Sequence, residues 1–349
     1  MTHATLTEKK IAVTGGTGML GSHLVAALLN EGCRVKLLVR EKSDRGLLKR
    51  TLERTGTAAL RDRIEFRTTA LNNPHELDEA LRGTDIVFHC AARVSFDPAD
   101  AEAVVSSNTE IATHIVNSCL ECGVELLVHV SSIATLGRPL DAEAPITEDC
   151  ILNSLVGRSA YGISKIYAEN TVRRGMQQGL RAVIVNPSII LGEGDWRRGS
   201  AALIAQAVRN RLFYTEGVKG YVDVRDVAQA MVCLAQTPQA AGRRFIVSAG
   251  DLSFRELADR VAETAGHSRP RIRVGKTVLQ MLARLDARIS RATGRKRMLP
   301  DSFVTDATDC LRYDGSELLR TIDFRYTPLE ETIARTVRAY LEDRKTCRP

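Results

Sequence analysis

No stretch of this 349-residue chain approaches the roughly 18 consecutive apolar residues of a membrane-crossing helix, so no integral membrane association is expected. No secretory leader is expected either: Lys9 and Lys10 run straight into the first strand-like segment and leave no room for a signal-peptide apolar region. Metal-ligand spacing is also lacking. The eight cysteines are dispersed, only Cys119 and Cys122 form a CxxC pair, and neither a second pair nor spaced histidines accompany it. The pair lies in "HIVNSCLECGVELLVHV", the end of a helix turning at Gly123 into a strand, and reads as two buried thiols with no metal. Unpaired, reduced cysteines fit a cytoplasmic protein. Low-complexity tracts and internal repeats are absent. The net charge of +7 is spread along the chain, so nucleic acid is not an expected partner.

What is present is the composition of a globular protein, 44% hydrophobic and 26% charged. Short apolar runs ("KIAVTGG", "CRVKLLVR", "RIEFRTT", "TDIVFHCAA", "ELLVHVSS", "RAVIVNPS") alternate with helix-like segments such as Gly18 to Asn30 and Val104 to Cys122. That alternation predicts an α/β fold, a doubly wound parallel sheet of Rossmann type. "RRFIVSAG" near 243 to 250 reads as one more strand. Beyond about residue 187 the pattern loosens. The expected division is a dinucleotide-binding domain over 1–187, with returns near 221–250, and a smaller, mostly helical substrate domain within 188–349.

The stretch "IAVTGGTGMLGSHLV" puts Gly15, Gly18 and Gly21 between an apolar strand and an apolar helix. In that context the first glycine permits a tight turn, the second a close approach of backbone N–H groups to a pyrophosphate, and the third close packing of helix on strand. After the second strand, where an acid would bind a ribose hydroxyl, stands Arg40, followed by "EKSDR". A guanidinium there favours a 2′-phosphate and hence NADP, with Lys42, Ser43 and Arg45 as further contacts. Glu41 dissents, and NAD stays the alternative.

"RSAYGISKIYAEN" places Tyr161 and Lys165 four apart, on one helix face. An ammonium near a phenol favours the phenolate, so the pair can exchange a proton with a carbonyl or carbinol oxygen. "ELLVHVSSIATLG" ends a strand in Ser131 and Ser132, of which Ser131 fits a mere turn better. With these residues in view, the chain resembles the extended short-chain dehydrogenases/reductases of the NAD-dependent epimerase/dehydratase type, in their dihydroflavonol-4-reductase-like branch. The likeness spans nearly the whole chain and is densest over residues 11 to 192. It implies that Ser132, Tyr161 and Lys165 are the catalytic residues. It also implies cofactor contacts at Gly15, Thr17, Gly18, Met19, Leu20, Gly21, Arg40, Leu71, Ala91 and Ala92, and further at Asn108, Ser131, Lys165, Pro187 and Ser188. A homodimer through the helices near 102–121 and 160–177 is implied too.

Two departures stand out. Ala70 and Leu71 occupy the place where an Asp usually recognises adenine, and Glu193, in "VNPSIILGEGDW", replaces a usual proline. Hydride transfer to or from a small-molecule carbonyl or hydroxyl carbon is the expected reaction. An epimerase acting on a sugar needs the same triad and stays open, whereas a nonenzymatic dinucleotide sensor would generally lack the Tyr and Lys pair.

Phe96, Trp196, Tyr214 and Tyr221 are open to roles in a pocket or in packing. Asp226 is expected to cap the helix begun in "GYVDVRDVAQA". The helix of 277–292, apolar at 278, 281, 282, 285 and 289, and the basic run "RATGRKR" permit a membrane-surface role. The stripe is narrow and lacks Trp or Phe, so packing on the domain core is the expectation.

Overall fold

The computed structural model describes residues 5–95, 97–141, 143–210, 212–294 and 301–346; Phe96 and the end of the basic run, Arg295 to Arg297, lie outside the described residues. The first part of the chain alternates β1 (Ile11–Thr14), α1 (Met19–Asn30), β2 (Val35–Val39), α2 (Gly46–Arg54), β3 (Ile64–Thr68), α3 (Pro74–Leu81), β4 (Ile86–His89), α4 (Ala101–Glu121), β5 (Leu126–Val130), α5 (Ala160–Gln177) and β6 (Ala182–Pro187). Then come β7 (Ile189–Leu191), α6 (Gly199–Arg209), β8 (Phe213–Tyr214), β9 (Val218–Asp223), α7 (Val224–Ala235), β10 (Arg244–Val247), β11 (Gly250–Ser253), α8 (Phe254–Ala265) and β12 (Ile272–Arg273). Helices α9 (Lys276–Thr293), α10 (Asp301–Thr308), α11 (Ser316–Thr321) and α12 (Leu329–Thr346) complete the chain.

All seven segments read as strands enter one parallel sheet, ordered β10-β6-β5-β4-β1-β2-β3. The inner strands are largely apolar because both of their faces are buried, whereas the edge strand β3 (IEFRT) buries only Ile64. Ile11, Val13, Phe88 and Val128 meet α1 and α7 on one side, while Val87, Leu127 and Ile184 meet α3, α4 and α5 on the other. The order reverses between β1 and β4. A ligand crevice therefore opens beyond their carboxyl ends, where both crossovers lead away.

A second cluster, with Tyr221, Ile204, Leu257, Ile333 and Val337, joins the small sheet β11-β9-β7 to α6, α8 and α12. It carries the segment that follows β6 over the crevice. Asp223, not Asp226, is the N-cap of α7: its side chain accepts from the Arg225 N–H at 2.9 Å, while Asp226 accepts from Thr327. The chain places Asp223 in extended backbone one residue before the helix, the conformation a cap requires.

The expectation for α9 is overturned. Its apolar positions 278, 281, 282, 285 and 289 are all exposed, and Leu279, Ala283 and Asp286 form the face that packs on the chain. Among the described residues no helix is long and apolar enough to cross a membrane.

Candidate active site

The glycine corner has no room for side chains. Gly15 has φ +73°, and a Cβ there would lie 2.6 Å from the Ala91 nitrogen; one on Gly21 would lie 2.2 Å from the Gly15 carbonyl oxygen. Gly18 is the N-cap of α1 and offers no side-chain bond to the first helical N–H groups. Those donors and the positive end of α1 are thus left for an anion. Thr17, Met19 and Leu20 sit on the same corner, and Ala91 backs it, its N–H donating to Thr14 Oγ1 at 3.3 Å. A cradle that a Cβ would fill, ending in an open helix N-terminus, fits the pyrophosphate of a dinucleotide.

Arg40 is exposed at the end of β2, in a turn closed by its N–H donating to Ser43 Oγ at 3.0 Å. Among the described residues it has no ion-pair partner, whereas Arg45 stacks over Phe66 at 4.0 Å. Leu71 packs against the α3 and α4 side, and its carbonyl meets His114 Nδ1 at 3.3 Å. No acid stands at that position for adenine.

Asn108 is buried within α4. Its amide bonds both backbone groups of Arg93, at 2.7 and 2.9 Å, and donates to Ser164 Oγ at 2.9 Å. It pins the strand-end segment after β4 to α5. Ser164 in turn donates to the Tyr161 carbonyl.

Tyr161 lies in the first turn of α5, capped by Ser159. Burial pushes its phenol up to about 12, opposed by a hydrogen bond with Ser132. Lys165, one turn on, is nearly inaccessible and donates to the Val130 carbonyl at 2.8 Å. Burial pulls its ammonium down to about 8, with Cys90 and Glu169 opposing. The hydroxyl of Ser132 and the phenol of Tyr161 thus meet at the carboxyl edge of β5, with the ammonium behind them. Pro187 closes β6 nearby, and Ser188 is buried, tied to Val247. Ser131 points away: its hydroxyl donates to Glu169 at 2.7 Å.

Sequence reasoning missed what holds this edge in place. The buried Glu169 carboxylate accepts from Ser131, Thr135 and Asn186, and from Arg173 and Arg244. Burial works to raise its pKa, but these donors outweigh it and the net shift is downward. Asn186 also donates to the Ser132 carbonyl at 3.0 Å, and Arg158 holds the Ala134 and Leu136 carbonyls. Glu169 stands eight residues after Tyr161 and four after Lys165 on the same helix face, and that periodicity was its signal in the sequence. His89 and His129 stack at 5.3 Å beneath the site; burial pulls His89 down to about 3 and His129 well below its ordinary value, so both stay neutral.

Glu193 belongs to a different construction. Its carboxylate is buried against Arg335 and 3.4 Å from His23 of α1, while Arg335 also holds Asp223. The adjacent Gly194 lies close enough to Met19 that a Cβ would come within 3.1 Å of its sulfur. The loop after β7 is thereby clamped over the glycine corner. Trp196 and Tyr221 serve packing, Trp196 donating to Asp343 and edging Tyr340, and Tyr214 lies beneath Arg255. Cys119 is buried and Cys122 half-buried, and burial raises both thiols.

The model of the NAD dependent epimerase/dehydratase family matches residues 11–250, well over half of the chain. The chain belongs to this family. A putative dihydroflavonol 4-reductase of Synechocystis is 27% identical over 331 residues, covering 93% of this chain and 92% of its own. Two solved structures share the fold: yeast methylglyoxal/isovaleraldehyde reductase complexed with NADPH (20% identity, TM-score 0.73, covering 96% and 99% of the two chains) and dTDP-glucose 4,6-dehydratase from Streptomyces venezuelae with NAD (21%, 0.75, 97% and 98%). The protein is therefore an enzyme of the extended short-chain dehydrogenase/reductase class, NAD(P)-dependent and acting on small molecules.

Proposed function

We propose that this enzyme is an NADP(H)-dependent reductase of a small-molecule carbonyl, with Tyr161 as general acid/base. The observation that carries the reading is the meeting of the Ser132 hydroxyl and the Tyr161 phenol at the carboxyl edge of β5, one helical turn from Lys165. A nicotinamide dinucleotide held by the glycine corner, Arg40, Ala91, Ala92 and Lys165 supplies the hydride when bound. Ser132 orients the substrate oxygen, and the Tyr161 phenol, protonated throughout the neutral range, gives it the proton. In the reverse direction the Tyr161 phenolate takes that proton back. Lys165 stabilises the charge left on the phenolate.

The cofactor preference rests on Arg40, exposed at the end of β2 and, among the described residues, without an ion-pair partner, where a 2′-phosphate would lie. Arg40→Asp is expected to move the NADPH/NADH ratio of kcat/KM toward NADH by about 1 to 3 kcal/mol, roughly 5- to 150-fold. Equal losses with both cofactors overturn the assignment. An epimerase would retain its dinucleotide through the cycle, so mass spectrometry of the dinucleotide released on denaturation separates the two reactions. Freely exchanging NADP(H) supports the reductase, and tightly held NAD overturns it.

The free-enzyme kcat/KM for reduction is expected to fall as pH rises through about 8, where Lys165 loses its proton, and to show no limb near 6.5, because both buried imzidazoles are neutral already. Lys165→Arg should move the limb upward. A profile flat to pH 9.5 in the wild type removes Lys165 from the mechanism.

Residues 1–187 with the return near 221–250 form, in this reading, the cofactor-binding part, and the remainder of 188–349 the substrate part. Two copies pair through α4 and α5, which pack side by side on one sheet face. The free thiols of the described cysteines are in keeping with the cytoplasm.

A further inference from the structure

Helix α9 spans Lys276–Thr293 and ends at Gly294, whose φ of +68° terminates it. At 3.6 residues per turn, Val278, Met281, Leu282, Leu285 and Ile289 share a sector about 100° wide. That sector faces outward: Met281 is 65% exposed, Leu285 54% and Val278 50%. The helix is anchored instead through Leu279 and Ala283, which pack with Val304 and Ala307 of α10. Arg284, Arg288 and Arg291 are exposed along one flank of the apolar sector. The only acidic residue of the helix, Asp286, is on the buried side. Solvent therefore meets an apolar stripe edged by cations, with no carboxylate of this helix among them.

The charge pattern decides what covers this stripe. A second copy docked by the same face would bring its own arginines against these three, with no acid on the helix to offset them, and like charges so placed repel. Lipid phosphates are the opposite case: they neutralise the arginine row while the acyl boundary takes the stripe. We propose that α9 seats this enzyme on an anionic membrane surface, lying in the headgroup plane without spanning it.

The test is flotation of the full chain with phosphatidylcholine vesicles and with vesicles that also contain phosphatidylglycerol. Binding to the anionic vesicles is expected to exceed binding to the neutral ones by more than about tenfold, since each surface cation adds to the attraction. High salt should weaken it. Leu285→Glu and, separately, Arg284→Glu with Arg288→Glu should abolish it. These side chains are exposed, so circular dichroism, Tm and dinucleotide affinity should stay at wild-type values and show that the variants are folded. A wild type that stays unbound with both vesicle types, or a Leu285→Glu variant that binds as well as the wild type, overturns the proposal. So does sedimentation velocity showing that Leu285→Glu dissociates an oligomer of a chain that ignores lipid, because the stripe is then a contact between copies.

Discussion

Tyr161→Phe is expected to lower kcat for carbonyl reduction by about 10²- to 10⁴-fold, the usual contribution of a positioned general acid, while NADPH affinity changes less than about threefold. The phenyl ring keeps the packing of the first turn of α5, and Ser164 bonds the backbone carbonyl of residue 161, which the substitution preserves. What is lost is the phenolic proton alone, held in place by burial and by Ser132. Single-turnover kinetics with NADPH, followed by loss of its absorbance, separates the chemical step from binding. A variant that turns over at the wild-type rate removes the proton-donor role. One that loses affinity and rate together shows that the phenol serves cofactor binding instead.

The second large effect concerns stability. Arg335→Met leaves Glu193 and Asp223 buried without their shared cation, the condition under which a broken buried ion pair costs about 3 to 5 kcal/mol. For a chain of this length that corresponds to roughly 4 to 7 °C in Tm. The pH dependence has a definite sign. Burial acts to raise the Glu193 carboxyl, but the hydrogen bond to His23 and the field of Arg335 outweigh it, so its folded pKa lies well below the usual carboxylate range. A depressed acid contributes stability above its unfolded pKa, about 4.3, and loses that contribution as pH falls through the folded value. In Arg335→Met the Glu193 carboxylate, no longer held by that field, gains by taking up a proton, so the Tm gap to the wild type should narrow between pH 7 and 5. Differential scanning fluorimetry across that range checks both statements. A loss below 1 kcal/mol at pH 7 would show that the clamp adds little, and recovery by Glu193→Gln in the same background would locate the cost in the unpaired charge.

The fold was legible because its signals are local. Each strand of the central sheet is a short, mostly apolar segment of four to six residues, the edge strand β3 excepted, and the glycine corner and the Tyr161–Lys165 pair each lie within a few residues. Asp226 was misread for lack of one local fact, the extended backbone at Asp223. The sequence favoured Ser132 over Ser131, and the position of Glu169 across the sheet edge gives the physical reason, taking the hydroxyl of Ser131 and leaving that of Ser132 to Tyr161.

By itself the sequence determined the strand and helix alternation, the glycine corner and the helical face shared by Tyr161 and Lys165, because a periodicity or a backbone requirement is written in neighbouring residues. The tertiary structure alone decided three things: that Glu169 gathers Asn186 and Arg244 behind the site, that Glu193 meets Arg335 across 142 residues, and that the apolar side of α9 faces outward. Charge pairs and exposed faces depend on which surfaces the folded chain brings together, and an amphipathic pattern states that a helix has an apolar side without stating what that side meets.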